Sequence, residues 1–255
     1  MTTRDDAFPI GTPCWVDLSV ADVSAARIFY EDLFGWQIAE GQEQFGGYAN
    51  CSKDGKMVCG LAPTMAPEQP NAWMTYVAVE DADAAMARVR EHGGQVMAEP
   101  MDVMGLGVMA IAVDSDGAPF GVWRAGTHTG FQRYNEPGSV SWNEHLAPDL
   151  GDAKAFYGNV FGWTFNDIAT EGFRYSTFKA ADGHEAGGMG QMSVEEIPAP
   201  WLVYFSVDNA DEALDQIVKL GGNVLAPAAD TPYGRMAVVS DNQDAVFAII
   251  QAPQG

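Results

Sequence analysis

The sequence predicts an α+β protein of four βαβββ modules arranged as two tandem domains, and three observations predict it. The chain is duplicated: FYEDLFGW (Phe29–Trp36) returns 127 residues later as FYGNVFGW (Phe156–Trp163), and GTPCWVDLSVAD (Gly11–Asp22) as GSVSWNEHLAPD (Gly138–Asp149). Further on, TYVAVEDADAAMARVREHGGQV (Thr75–Val96) matches VYFSVDNADEALDQIVKLGGNV (Val203–Val224). A smaller strand–helix–strands unit recurs inside each half. Asp-Gly turns, Asp54-Gly55 and Asp182-Gly183, close a hairpin at matching places in the two halves.

Each element has a local reason. Residues 13–20 alternate as a half-buried strand does. Asp22 can cap a helix that carries Ala26, Phe29, Tyr30 and Leu33 on one face, and Gly35 stops it. Strands follow over Gly47–Ser52 and Met57–Ala62. The second unit opens with the strand Met74–Val79. Its helix starts near Ala82, buries Ala85, Met86 and Val89, and ends at Gly93-Gly94. Strands near Gln95–Ala98, Val108–Val113 and Phe120–Trp123 complete it. The second half repeats this order after a loop-like segment, Arg124–Pro137, which sets domains at 1–126 and 127–255. One module leaves a concave sheet face uncovered, so modules must close in pairs. Units one and two may face each other, or units may cross between halves; the residues leave both open.

Composition bounds function. With 255 residues, 47% hydrophobic and 19% charged, the chain has the balance of a globular protein with ample core. A net charge of −22 repels phosphate backbones and anionic headgroups, which argues against nucleic-acid and membrane partners and permits a cationic ligand. No apolar run approaches the ~18 residues of a membrane span, and MTTRDDAFPIGTPCW lacks the features of a signal peptide, so a cytoplasmic protein is expected. Cys14, Cys51 and Cys59 form no CxxC. Cys51 and Cys59 are expected on opposite faces of one hairpin. The four histidines are scattered, with no HxH or HExxH pair, and are expected at the surface.

Four βαβββ units, FY…FGW after the first strand and a VDSDG turn (Val113–Gly117) before the last together resemble the vicinal oxygen chelate superfamily of glyoxalase I, bleomycin- and fosfomycin-resistance proteins and extradiol dioxygenases. The phrases GTPCWVDL and FYEDLFGW are similar to those of two-domain actinobacterial glyoxalase-like proteins related to a mycobacterial culture-filtrate antigen. The resemblance covers Gly11 to Gln251 and implies two glyoxalase-like domains. In catalytic branches it also implies a divalent metal held by His, Gln or Glu on the first and last strands of paired units. The matching positions here are Trp15, Met74 and Gly121 in the first half and Trp142, Leu202 and Ala248 in the second. The hairpin strands offer Cys59–Leu61 and Ala186–Gly188. Trp, Met, Leu, Gly and Ala supply no adequate donor set, so no metal and no cofactor are expected.

What stands on the inward face is different chemistry. Strand alternation puts Asp17 beside Trp15 and Glu144 beside Trp142, with Tyr76 and Tyr204 on the face of Met74 and Leu202. The composite is an aromatic-walled, acidic cup suited to a small molecule. The resemblance adds Arg235 near the pocket mouth, where the first half has Val108. The expected function is metal-free binding of a small, partly apolar ligand through Trp15, Tyr76, Trp142, Tyr204 and Arg235. The alternative is a metal-independent lyase or isomerase with Asp17 or Glu144 as general base and Tyr76 or Tyr204 as donor. A metal-dependent glyoxalase or dioxygenase is the third reading. A monomer suffices because duplication supplies both halves, and a homodimer is left open.

Overall fold

Alternation in PCWVDLSV builds β1 (Pro13–Val20), and Asp22 then accepts the Ala25 N–H at 3.0 Å to start α1 (Val23–Phe34), which Gly35 ends at φ 69°. The computed structural model describes residues 3–169, 174–191, 197 and 199–253; the outermost residues of both predicted domains, 1–2 and 254–255, lie outside these. The first half continues with β2 (Gln37–Ile38), β3 (Ala49–Lys53), β4 (Lys56–Pro63), β5 (Ala72–Ala78), α2 (Ala82–Glu91), β6 (Gln95–Asp102), β7 (Gly107–Val113) and β8 (Pro119–Ala125). The second half repeats it: β9 (Val140–Ala147), α3 (Leu150–Phe161), β10 (Thr164–Ala169), β11 (Arg174–Lys179), β12 (Glu185–Gln191), β13 (Trp201–Val207), α4 (Ala210–Lys219), β14 (Asn223–Thr231), β15 (Gly234–Ser240) and β16 (Val246–Gln251). Asp149 and Gly162 bound α3 as Asp22 and Gly35 bound α1.

Each half forms one eight-stranded sheet, in the order β2-β3-β4-β1-β5-β8-β7-β6 and its counterpart β10-β11-β12-β9-β13-β16-β15-β14. The choice between module pairings is thereby made. Modules one and two join edge to edge through antiparallel β1 and β5, with Trp15 opposite Tyr76 and Asp17 opposite Met74. Modules three and four join through β9 and β13. The helix-bearing faces pair differently. One core packs Phe29, Tyr30 and Trp36 of module one against Phe205, Ile217 and Phe247 of module four. A second packs Met86, Val89 and Phe120 of module two against Phe156, Tyr157 and Phe161 of module three. Each module thus shares a sheet with one neighbour and a core with another.

The repeated FY and FGW phrases seal these cores by exchange. Tyr30 donates to Asp241 and Tyr157 to Asp114, each at 3.0 Å and each across the halves. Trp36 donates its indole N–H to the Gly138 carbonyl and Trp163 to that of Gly11, both at 2.7 Å. Asp114 and Asp241 also hold their own turns, accepting the N–H groups of Ala118 at 2.8 Å and Ala245 at 2.9 Å. Burial raises Asp241. Burial also acts on Asp114, but there the hydrogen bond and charge of His145, with the hydrogen bonds of Ala118 and Tyr157, together outweigh it and leave the carboxyl below its usual range.

Two expectations change. His145 is fully buried, not superficial: its ring stacks on Trp201, with Nε2 2.9 Å from Asp114 and Nδ1 2.8 Å from the Pro200 carbonyl. Cys51 and Cys59 are direct cross-strand partners, because the register shifts by one residue between Cys51 and Ser52 and so reverses the expected parity. All three cysteines are free and buried. Among the described residues no helix is long and apolar enough to cross a membrane. Tyr30→Phe and Tyr157→Phe should each cost about 1–3 kcal/mol by stripping a donor from a buried carboxylate, read as lowered urea midpoints of the full chain.

Candidate functional site

The concave face of each sheet carries one constellation, built twice. In the first half the indole N–H of Trp15 donates to the Tyr48 hydroxyl at 2.8 Å, and Asp17 takes hydrogen bonds from Tyr76 and Tyr48. In the second half Trp142 donates to Tyr175 at 3.1 Å, Tyr204 donates to Glu144 Oε2 at 2.5 Å, and Tyr175 also bonds Glu144. An indole can only donate. It therefore fixes the direction of each chain, from indole N–H to phenol oxygen and from phenol O–H to carboxylate.

Glycines make room for the phenols. Gly60 lies opposite Asp17 on β4, and a Cβ there would collide with the Tyr48 hydroxyl. Gly188 does the same for Tyr175, and Gly121 for the ring of Tyr76. Tyr204 lies instead beside Ala248. Apolar side chains line much of the rest of each cup, Met74, Ile111 and Trp123 in the first and Leu202, Met236, Val238 and Ile250 in the second, while Asn50 and Thr177, the register partners of Gly60 and Gly188, add a polar group to the same faces.

Burial governs the electrostatics. It pushes the Asp17 carboxyl up to about 7, against the lowering effect of its two phenol donors. Glu144 is raised for the same reason, against Tyr204 and Tyr175. Tyr48, Tyr76, Tyr175 and Tyr204 are all raised, first by burial and then by the neighbouring carboxylate, except that the Trp15 bond partly offsets this at Tyr48 and the Trp142 bond at Tyr175. Each cup therefore holds a carboxyl that gains a proton easily between phenols that keep theirs.

The structure brings together Trp15, Asp17 and Tyr76, and separately Trp142, Glu144 and Tyr204. Arg235 joins neither group. Its neighbour Met236 faces Ile250 in the cup, so alternation turns Arg235 to the other face, where Asp211 at 2.9 Å and Asp230 at 3.1 Å hold it. The two phenols the sequence reading missed are Tyr48 and Tyr175. The signal was present, since each follows its own tryptophan by 33 residues.

The cups are not equally open. Linker residues lie over Trp15, with His128 edge-on at 4.5 Å and Phe131 at 5.6 Å between ring centres, leaving the indole 5% exposed. Burial lowers His128 below the usual imidazole range. Trp142 is half-buried and borders a surface cleft.

A divalent cation does not fit either constellation. Each offers one carboxylate and two phenols, the space over Gly60 and Gly188 is filled by the hydroxyls, and no group of three or more His, Cys, Asp or Glu converges among the described residues.

Comparison with known proteins follows the same lines. The family model "Glyoxalase/Bleomycin resistance protein/Dioxygenase superfamily" matches residues 14–122 and 144–249. The chain is 42% identical over 254 residues to the Mycobacterium tuberculosis protein CFP32, which is named a glyoxylase, covering 96% of each chain. It is 36% identical over 263 residues to the anthracycline biosynthesis protein DnrV of Streptomyces peucetius, covering 97% of this chain and 96% of that one. Among solved structures, a Mn(II)-bound glyoxalase from Novosphingobium aromaticivorans superposes with a TM-score of 0.68 at 18% identity, over 95% of this chain and 82% of that one. The 2,3-dioxygenase LapB of Pseudomonas sp. KL28 gives 0.67 at 11% identity, over 97% and 94%. These two share the fold.

Two outcomes are expected from the first cup. Gly60→Ala should displace Tyr48 from Asp17 and destabilise by about 1–3 kcal/mol, read by thermal unfolding. Between its unfolded value near 4 and its folded value of about 7, Asp17 is ionised in the unfolded chain and protonated in the folded one. The unfolded state binds fewer protons there, so Asp17 lowers stability as pH rises through that window. Asp17→Asn should flatten this part of the urea-unfolding profile.

Proposed function

Because the chain belongs to the Glyoxalase/Bleomycin resistance protein/Dioxygenase superfamily, we propose that it binds a small, flat, partly apolar molecule in the second cup, without a metal. A carbonyl or hydroxyl of that molecule meets the Glu144–Tyr204–Tyr175 group, and its ring lies among Trp142, Leu202, Met236 and Ile250. The observation that carries this reading is the pairing of a buried carboxyl with two phenol donors, at 2.5 Å for Tyr204, on a largely apolar face. The half-buried Trp142, which borders a surface cleft, favours the second cup over the first. The names of the 36% identical relatives, anthracycline biosynthesis proteins, support a fused-ring aromatic ketone as the ligand class.

A second reading rests on Asp17. A carboxyl poised at about 7 can take and return a proton near neutrality, which suits proton transfer next to a carbonyl in a metal-independent isomerase or lyase. Glu144 would serve in the same role.

Titration of the full chain with 1,4-dihydroxyanthraquinone separates these. Saturable quenching of tryptophan fluorescence, with the dye recovered unchanged and about tenfold weaker binding in Glu144→Gln, supports the binding reading. Conversion of the dye that disappears in Glu144→Gln or Asp17→Asn supports the enzyme. Absence of saturable binding overturns both.

A further inference from the structure

The linker docks on the first half in a way that describes a vacancy-shaped counterpart on the second. At the edge where β1 and β4 begin, the Phe131 ring rests on Trp15, and its N–H donates to the Cys14 carbonyl at 2.9 Å. The N–H groups of Gln132 and Arg133 both reach the Met57 carbonyl, at 2.9 and 3.2 Å. The Arg133 guanidinium pairs with Asp54 on the hairpin turn. A short stretch, bent at Gln132, is thus read three ways: ring on indole, amides on strand-end carbonyls, and cation on a turn carboxylate.

Register carries the strand groups into the second half, and the Asp-Gly turn, one residue longer there, supplies the carboxylate. Trp142 and Ser141 stand for Trp15 and Cys14 on β9. Asp17 pairs with Gly60 and Glu144 with Gly188, so Glu185 stands for Met57, and the turn residue Asp182 stands for Asp54. These four residues line one open cleft of about 400 Å³, with Phe8 and Tyr134 among its other walls. Asp182 is about half exposed and is already met by His184 Nδ1, whose Nε2 lies 3.2 Å from Thr12 Oγ1. The turn carboxylate is therefore held in place at the cleft margin.

We propose that this cleft recognises a short, cationic aromatic peptide segment of the form aromatic–x–Arg, presented by a partner protein. The aromatic side chain covers Trp142 as Phe131 covers Trp15. The following amides donate to the strand-end carbonyls, and the guanidinium reaches Asp182 as Arg133 reaches Asp54. Charge agrees with geometry, because Asp182 and Glu185 outnumber the single guanidinium, Arg4, on the cleft of a chain with net charge −22. The peptide site shares Trp142 with the ligand-binding cup, but it is argued from the linker's contacts and does not rest on that reading.

The probe is the linker's own stretch as a capped peptide, acetyl-Gly-Phe-Gln-Arg-amide, titrated calorimetrically into the full chain. Saturable binding is expected, about tenfold weaker for peptides with Phe replaced by Ala or Arg by Glu. Asp182→Asn should weaken it several-fold and reduce its salt dependence, while leaving 1,4-dihydroxyanthraquinone binding unchanged. Ala186→Trp should fill the cleft and abolish peptide binding. Absence of saturable binding overturns the proposal, as does binding that is indifferent to both peptide replacements and to Asp182→Asn. Should Ala186→Trp fail to fold, the peptide series and Asp182→Asn decide alone.

Discussion

Two tyrosine-to-aspartate hydrogen bonds, exchanged between the halves, set the frame within which everything else is placed. Tyr157 and Tyr30 each reach out of one half into a turn of the other, where the accepting carboxylate is already committed to backbone N–H groups. That turn leads directly into β8 or β16, the strands that carry Gly121 and Ala248 to the cups. The same helices end in the tryptophans that pin the carbonyls of Gly138 and Gly11, just ahead of β9 and β1. Both ends of each cup's strand framework are thus held by the opposite half. Buried acceptors of this kind are costly to leave unpaired, so the exchange specifies one mutual orientation.

Within that frame each cup holds a buried carboxyl among phenols. A carboxylate removed from water without a cation must find donors or become protonated. Here both answers operate: phenols donate to it, and burial still lifts its pKa. The indole behind each first phenol prevents that phenol from turning away. The difference between the halves is one of cover, since the linker shields one indole and leaves its twin bordering solvent.

Much of this was legible in the residues because the duplication spells each element twice. Strand alternation put Trp15 with Asp17 and Trp142 with Glu144, and the helix caps followed from Asp22 and Asp149. The pairing of modules was not legible, since either closure satisfies the same alternation. Tyr48 and Tyr175 were overlooked because they stand on or just before hairpin strands read only for hairpin pairing, although their common distance from a tryptophan marked them. Arg235 was placed at the pocket mouth through resemblance, yet its parity relative to Met236 argues for the opposite face. The one-residue bulge after Cys51 leaves no mark in the sequence, and it alone reversed the expected placement of the cysteines. His145 reads as a lone imidazole until the other half supplies Asp114.

The closed circuit of modules partitions evolutionary freedom. Substitutions on the helix-bearing faces must be answered by a partner module elsewhere in the chain, so the FY and FGW phrases persist in both copies. The hollows answer to no such partner. There the twins have drifted: Gly121 against Ala248, Met74 against Leu202, Trp123 against Ile250, and an aspartate against a glutamate. A doubled chain of this kind carries one scaffold twice and two hollows whose linings differ.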